Sequence, residues 1–243
     1  MRISRLYTAM PLVVGQKLEL DEDNAHYVRS VLRLKSEQAI KLFNGQGGDY
    51  LGTLLEVSRK AVRVSIDAWI DRSVESPLHI TLGLGISRGD RMDLAVQKAV
   101  ELGVTLITPI MTERCVVQFK ADKHTQRLGH WQKIVQHAAE QSGRTCLPPL
   151  TDIAPLATWV DQQSGLKLFL DPYAELTLNA LHPVDAKVTL LTGPEGGFAE
   201  HERDLAKAAG FIPVKLGQRI LRTETASLAA LAAVQMLWGD FAL

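Results

Sequence analysis

Beyond Pro77 the chain alternates short apolar runs with longer amphipathic stretches, and this alternation narrows its possible folds more than any other feature. Candidate strands are residues 78–86, 105–110, 166–170, 188–192 and 212–216, with helical segments near 90–102, 124–141, 199–209 and 225–237. Gly103 and Gly210 fall where helices end on a left-handed residue. Strands separated by helices predict a mostly parallel sheet covered on both faces, an α/β domain. The first seventy residues read differently. Residues 39–43 and 50–57 flank Asn44-Gly45-Gln46-Gly47-Gly48, a hairpin signal, and residues 61–66 alternate apolar with polar. A compact β-barrel follows, interrupted by one helix over 23–32 with Val28, Val31 and Leu32 on one face and His26, Arg29, Ser30 and Arg33 on the other. The polar run ending at Pro77 marks the boundary, giving expected domains of 1–73 and 74–243.

Two loops carry the chemistry. Val188 and Thr189 lead an apolar strand through Leu190, Leu191 and Thr192 into Gly193-Pro194-Glu195-Gly196-Gly197-Phe198, and a helix-prone stretch follows. Three glycines in five residues suit positive φ or close approach of backbone to a ligand. Taken singly, this is also what a tight strand-to-helix connection looks like. About twenty residues on comes Leu216-Gly217-Gln218-Arg219-Ile220-Leu221-Arg222-Thr223-Glu224-Thr225-Ala226. Two such loops at strand carboxyl ends predict one shared small-molecule site, apolar and suited to a planar ring. Thr223 and Glu224 also fit a plain helix start, a capping hydroxyl and an acid at the positive end of the dipole; Arg222 does not.

Other chemistries lack their signatures. Gly83-Leu84-Gly85-Ile86-Ser87-Arg88 has arginine where a dinucleotide fingerprint needs its third glycine. The Gly193–Gly197 turn lacks the Gly-Lys-Ser/Thr ending of a phosphate loop, and neither His-Glu-x-x-His nor G-x-S-x-G occurs. Cys115 and Cys146 show no metal-ligand or disulfide spacing, so both are expected as free thiols and no metal is expected. Lys+Arg and Asp+Glu number 27 each, so any nucleic-acid surface must be a local patch. Candidates for that patch are Arg2, Arg5, His26, Arg29, Arg33, Arg88, Arg91, Lys98, Arg114 and Arg144. No apolar stretch reads as a signal peptide or membrane span, so a cytoplasmic protein is expected.

These residues in this order resemble the bacterial ribosomal RNA small subunit methyltransferase E family, enzymes of the SPOUT class. The resemblance runs through His26-x-x-x-x-Val31-Leu32-Arg33, Gln97-Lys98-x-x-Glu101-Leu102-Gly103-Val104, Pro109, Glu113-Arg114, Glu140-Gln141-Ser142-Gly143-Arg144 and both glycine loops. It implies a PUA-like or OB-like N-terminal barrel, a C-terminal domain with a deep trefoil knot, a homodimer, and S-adenosylmethionine as cofactor. The implied activity is methylation of N3 of a uridine in the decoding region of 16S ribosomal RNA in the small subunit. Implied cofactor contacts are Leu170, Thr192, Gly193, Pro194, Glu195, Gly196, Gly197, Leu216, Gly217, Ile220, Leu221, Arg222, Thr225 and Ala226. Arg222 is the expected electrostatic partner of the acceptor, with Glu195 and Glu224 as candidate bases or orienting groups. One departure is Ala199 three residues before Glu202, which removes the hydroxyl of a capping box. The competing readings are a SPOUT enzyme with another RNA acceptor (a ribose 2′-hydroxyl or a guanine nitrogen) and a non-catalytic ribosome-assembly factor.

Overall fold

The computed structural model describes residues 3–115 and 124–241. It divides into two units, one comprising residues up to Glu75 with Ala139–Leu147, the other Ser76–Ala138 with Pro148 onward. The expected site residue Arg2 lies outside the described residues.

The first unit holds β1 (Arg5–Tyr7), β2 (Lys17–Glu19), α1 (Glu22–His26), β3 (Ala39–Phe43), β4 (Asp49–Val57) and β5 (Val62–Ile70). The strands are ordered β1-β3-β4-β5-β2, parallel only between β1 and β3. Leu6 of one edge strand and Leu18 of the other share a buried core with Ile40, Leu54 and Val64, so the sheet is curled round one apolar centre. Helix α1 opens on Asp21, whose carboxylate accepts from Asn24 N at 2.8 Å. It then widens into a π-turn, Tyr27–Val31, closed by Leu32 N donating to Tyr27 O. The wider turn rotates the register: Val28 is fully buried, but Val31 stands 57% exposed instead of joining the apolar face expected of it. Arg33 adopts φ +52 and so ends the helix rather than extending its basic face.

Within this unit Asp49, fully buried, accepts from Arg5 Nε at 2.8 Å and Arg72 Nη1 at 2.9 Å. Arg5 also stacks on the Phe43 ring, 3.6 Å from its centroid, and donates to Ala139 O and Arg144 O. Glu75 accepts from Arg144, Thr145 N and Cys146 N. The Glu140–Arg144 motif is therefore stitched to the barrel strands, with Glu140 Oε1 accepting from Tyr7 N at 2.8 Å. This corrects two expectations. Arg5 and Arg144, read from sequence as RNA contacts, are consumed inside the unit, their side chains 9% and 6% exposed.

The second unit is built on β6 (His79–Gly85), β7 (Leu106–Met111), β8 (Ala154–Pro155), β9 (Leu166–Leu170), β10 (Lys187–Thr192) and β11 (Ile212–Val214). Its sheet runs β11-β9-β10-β6-β7-β8, and every pairing is parallel. Central strands β6 and β10 are buried on both faces, which is why they read as unbroken apolar runs. The helices are α2 (Gly89–Glu101), α3 (His124–Ser142, of which the residues from Ala139 on belong to the first unit), α4 (Leu156–Val160), α5 (Glu200–Ala208) and α6 (Thr223–Trp238). Helix α2 packs on α6, where the fully buried Gln235 donates to Leu102 O at the end of α2 and accepts from Ser76 Oγ. Gly103 and Gly210 have φ of +83 and +85, as expected after helix ends. Among the described residues no helix is long and apolar enough to cross a membrane, and no three or more His, Cys, Asp or Glu side chains are grouped to hold a metal.

Candidate functional site

The carboxyl ends of β9, β10 and β11 enclose a cavity of about 520 Å³. Neighbouring parallel strands present their following loops on one edge of the sheet, where such crevices form. Of the expected cofactor contacts, Leu170, Thr192, Gly193, Pro194, Glu195, Gly196, Gly197, Leu216, Gly217, Ile220, Leu221, Arg222 and Ala226 line it. Thr225 does not; in the first turn of α6 it is exposed. Glu224, a candidate base, is also absent from the lining.

The Gly193–Gly197 loop is held from several sides. A Cβ on Gly85, at the end of β6, would stand 2.5 Å from Pro194 N and 2.6 Å from Gly193 C. A Cβ on Gly196 would stand 2.8 Å from Arg114 Cβ, and Arg114 Nη1 donates to Gly196 O at 3.4 Å. These glycines let three backbone segments lie against one another. Glu202 fixes the start of α5: one oxygen accepts from Ala199 N at 2.9 Å, the other from Glu113 N at 2.8 Å. Half a capping box therefore survives, since an alanine at the cap has no oxygen to accept with but its amide still donates. At the start of α6, Ser227 Oγ donates to Thr223 O at 2.9 Å and lies 3.1 Å from Thr192 Oγ1. Having one hydrogen, Ser227 then accepts from Thr192, tying the end of β10 to α6.

Glu195 is defined by its partners. Its Oε1 accepts from Arg88 N at 3.0 Å and faces Arg91 Nη1 at 3.4 Å, so the loop caps the N-terminus of α2. Burial raises the pKa of this carboxyl, but the Arg88 amide and the nearby Arg91 charge outweigh it, and the net position is below the ordinary carboxylate range. A carboxylate held ionised in this way is a weak proton acceptor, so its geometry is that of an anchor. Its Oε2 and Oε2 of Glu224 are buried without a hydrogen-bond partner among the described residues.

Arg91 and Arg114, expected on the RNA-facing set, both reach the cavity wall. Lys98 instead pairs with Glu101 at 2.7 Å on α2, and Arg88 contributes its backbone amide while its side chain is exposed. In the other unit His26 and Arg33 are exposed, and Arg29 donates to Ser58 O at 3.0 Å. The lining also includes residues the sequence reading missed: Asp171, Pro172, Tyr173, Phe198, Arg203 and Val214. Asp171 lies 3.5 Å from Arg203 and accepts from Tyr173 N at 3.0 Å. Its signal was position, directly after the flagged strand end at Leu170.

A family model for an RNA methyltransferase domain matches residues 74–235, and one for an RNA methyltransferase PUA domain matches residues 20–67. A ribosomal RNA small subunit methyltransferase E from Buchnera aphidicola (Schizaphis graminum) is 36% identical, covering 98% of each chain. The crystal structure of the corresponding protein from Neisseria gonorrhoeae, bound to S-adenosyl methionine, is 41% identical with a TM-score of 0.92 over 99% of this chain and 100% of that one. A methyltransferase structure from Legionella pneumophila in complex with bound SAM gives 38% identity and a TM-score of 0.96 over 99% and 100%. By fold, by loop and by full-length similarity, the chain belongs to the ribosomal RNA small subunit methyltransferase E family.

Proposed function

We propose that this chain is an S-adenosylmethionine-dependent methyltransferase acting on N3 of a uridine in the decoding region of 16S ribosomal RNA. The observation that carries the reading is the single cavity formed by both glycine loops with Arg222 exposed on its wall. The residues fit the cofactor chemically. Leu170, Leu216, Ile220 and Leu221 offer an apolar slot for an adenine ring, and the glycine-rich backbone offers donors and acceptors to its edge. When bound, the cofactor supplies an electrophilic methyl group on a sulfonium.

The remaining work falls to the protein's own side chains. Uracil N3 carries a proton when neutral, so a cation at the flanking carbonyl oxygens favours the nucleophilic imide anion. Arg222 has no carboxylate partner among the described residues and is assigned that role. Glu195 is assigned a positioning role through α2, and Glu224 orients the first turn of α6. In the same reading, residues 1–73 position RNA through Arg29 and Arg33, residues 74–243 form the SPOUT catalytic domain, and the two glycine loops belong to a trefoil knot. The protein acts in the cytoplasm as a homodimer; Met236, Leu237 and Phe241, exposed at the C-terminal end, suit a self-association face.

Nucleoside mass spectrometry of 16S RNA, from cells lacking and then regaining the protein, tests the acceptor. N3-methyluridine is expected to disappear and return; a ribose or guanine methyl returning instead overturns the assignment. Calorimetry with S-adenosylmethionine addresses the assembly-factor alternative, which requires no binding. Arg222→Ala is expected to slow single-turnover methylation about 10²–10³-fold, the usual loss for one preorganised donor. If that variant is unimpaired while Glu224→Ala is inactive, the roles are reversed.

A further inference from the structure

Five arginines line the cavity against two carboxylates, Asp171 and Glu195. Both acids are already engaged: Arg203 lies 3.5 Å from Asp171, and Arg91 lies 3.4 Å from Glu195. The other three arginines, Arg114, Arg219 and Arg222, have no carboxylate partner among the described residues; Arg114 meets only the neutral Gly196 O. All three are exposed, so the surplus charge sits where the cavity meets solvent.

The cofactor of the reading above, on which this step rests, does not account for that surplus. S-adenosylmethionine carries a sulfonium and an ammonium against one carboxylate, hence one net positive charge, and a cationic rim repels it. Single-stranded RNA carries an anion at every phosphodiester, and guanidinium groups match phosphate with paired donors. We propose that Arg114 and Arg219 grip phosphodiesters flanking the target nucleotide, leaving Arg222 for the base, and that RNA bound there tightens cofactor binding by neutralising the rim. A second consequence follows for the product. S-adenosylhomocysteine has lost the sulfonium charge and is net neutral, so the bare rim favours product over cofactor and bound RNA removes that bias. Affinity coupling is reciprocal, so the cofactor also tightens RNA.

The test is calorimetric and does not require turnover. Dissociation constants for S-adenosylmethionine and S-adenosylhomocysteine are measured with and without a 16S RNA fragment whose target uridine is replaced by cytidine. In the wild-type protein the ratio of cofactor to product dissociation constants is expected to fall several-fold on adding RNA, and also on raising salt, which screens the rim. In the Arg114→Gln/Arg219→Gln protein the ratio starts low and RNA barely moves it. That variant's RNA affinity should also lose about 1.4 from its log–log salt slope, two phosphates' worth for single strands. A merely structural role for the arginines shifts both ligands together and leaves the ratio unchanged. A wild-type ratio indifferent to RNA, or a double variant matching wild type in ratio and slope, overturns the proposal. Inorganic phosphate at matched ionic strength is expected not to reproduce the RNA effect; full reproduction makes the rim a free-anion site and overturns the RNA assignment. The underlying reading fails separately: wild-type protein that binds no cofactor, or forms no methylated nucleoside, sinks both, whereas binding and methylation with a flat ratio sink only the rim.

Discussion

Gly85→Ala places one methyl group where β6 meets the Gly193–Gly197 loop, and its effect can be worked from distances. The added Cβ would stand 2.5 Å from Pro194 N, 2.6 Å from Gly193 C and 2.7 Å from Pro194 Cδ. Ordinary contact begins near 3.4 Å, so backbone must part by about 1 Å, and proline, with φ fixed by its ring, gives little. Overpacking of this kind costs about 2–3 kcal/mol, a fall of roughly 5–10 °C in melting temperature for a chain of this length. Because Thr192–Gly197 also line the cavity, the same displacement should weaken S-adenosylmethionine binding by about 10–100-fold. Gly83→Ala is the matched control. Its Cβ points to the same face of β6 but would meet the Trp159 ring at 2.5–2.9 Å, and Trp159 is core rather than cavity wall. That variant should lose comparable stability while keeping cofactor affinity. Melting curves and calorimetry on both proteins decide the matter. Unchanged affinity in Gly85→Ala, or equal affinity loss in both, refutes the argument that the end of β6 sets the loop.

Three further outcomes follow from the geometry. Glu75→Gln keeps an acceptor for Thr145 N and Cys146 N but removes the charge facing Arg144, and should cost about 2 kcal/mol at neutral pH by thermal melting. Burial raises the Glu75 pKa, but Arg144 and the backbone amides outweigh it and hold it below its ordinary value. The wild-type contribution is thus full above the ordinary carboxylate pKa and lost as pH falls through the depressed one; melting temperature against pH should be flatter there in Glu75→Gln. Gln235→Leu orphans Leu102 O and the Ser76 hydroxyl, and a loss of about 3 kcal/mol is expected in denaturant titrations. Arg29→Ala/Arg33→Ala should weaken RNA binding and flatten its salt dependence with cofactor affinity unchanged; equal loss of both affinities argues against a separate RNA-positioning unit.

What the sequence disclosed was whatever is encoded locally. Strand β9 is legible to the residue, and both cavity loops are legible because each follows an apolar strand run and the two together, one of them glycine-rich, point to a shared ligand. What it concealed depends on partners far along the chain. Arg5 reads as a surface charge until Asp49, 44 residues on, is seen to accept from it with no exposed surface of its own. Glu195 reads as a possible base until Arg88 N, 107 residues earlier, is seen donating to it. Val31 failed for a local reason of another kind: the pattern assumed 3.6 residues per turn, and the Tyr27–Val31 turn is wider.

The fate of the two cavity carboxylates bears on how an imide could be activated. A general base must hold a pKa near working pH and keep a lone pair free for the proton it takes. Asp171 accepts from Tyr173 N and faces Arg203, while Glu195 is held ionised below the ordinary range by an amide and a guanidinium. Both hold loops in place, and Glu195, although its Oε2 has no hydrogen-bond partner among the described residues, is disfavoured as a base by its lowered pKa. Arg222 remains available, and a cation stabilises an anionic acceptor without taking its proton. In the proposed reaction the proton on N3 is then lost to solvent or a buffer anion before methyl transfer. Single-turnover rates should accordingly rise with pH as the imide ionises and show no plateau at carboxylate pKa values. Glu195→Gln should lower the rate while leaving the shape of that profile unchanged, since an anchor changes geometry and a base changes the profile. A profile that loses an acidic limb in Glu195→Gln would restore Glu195 to the role of base.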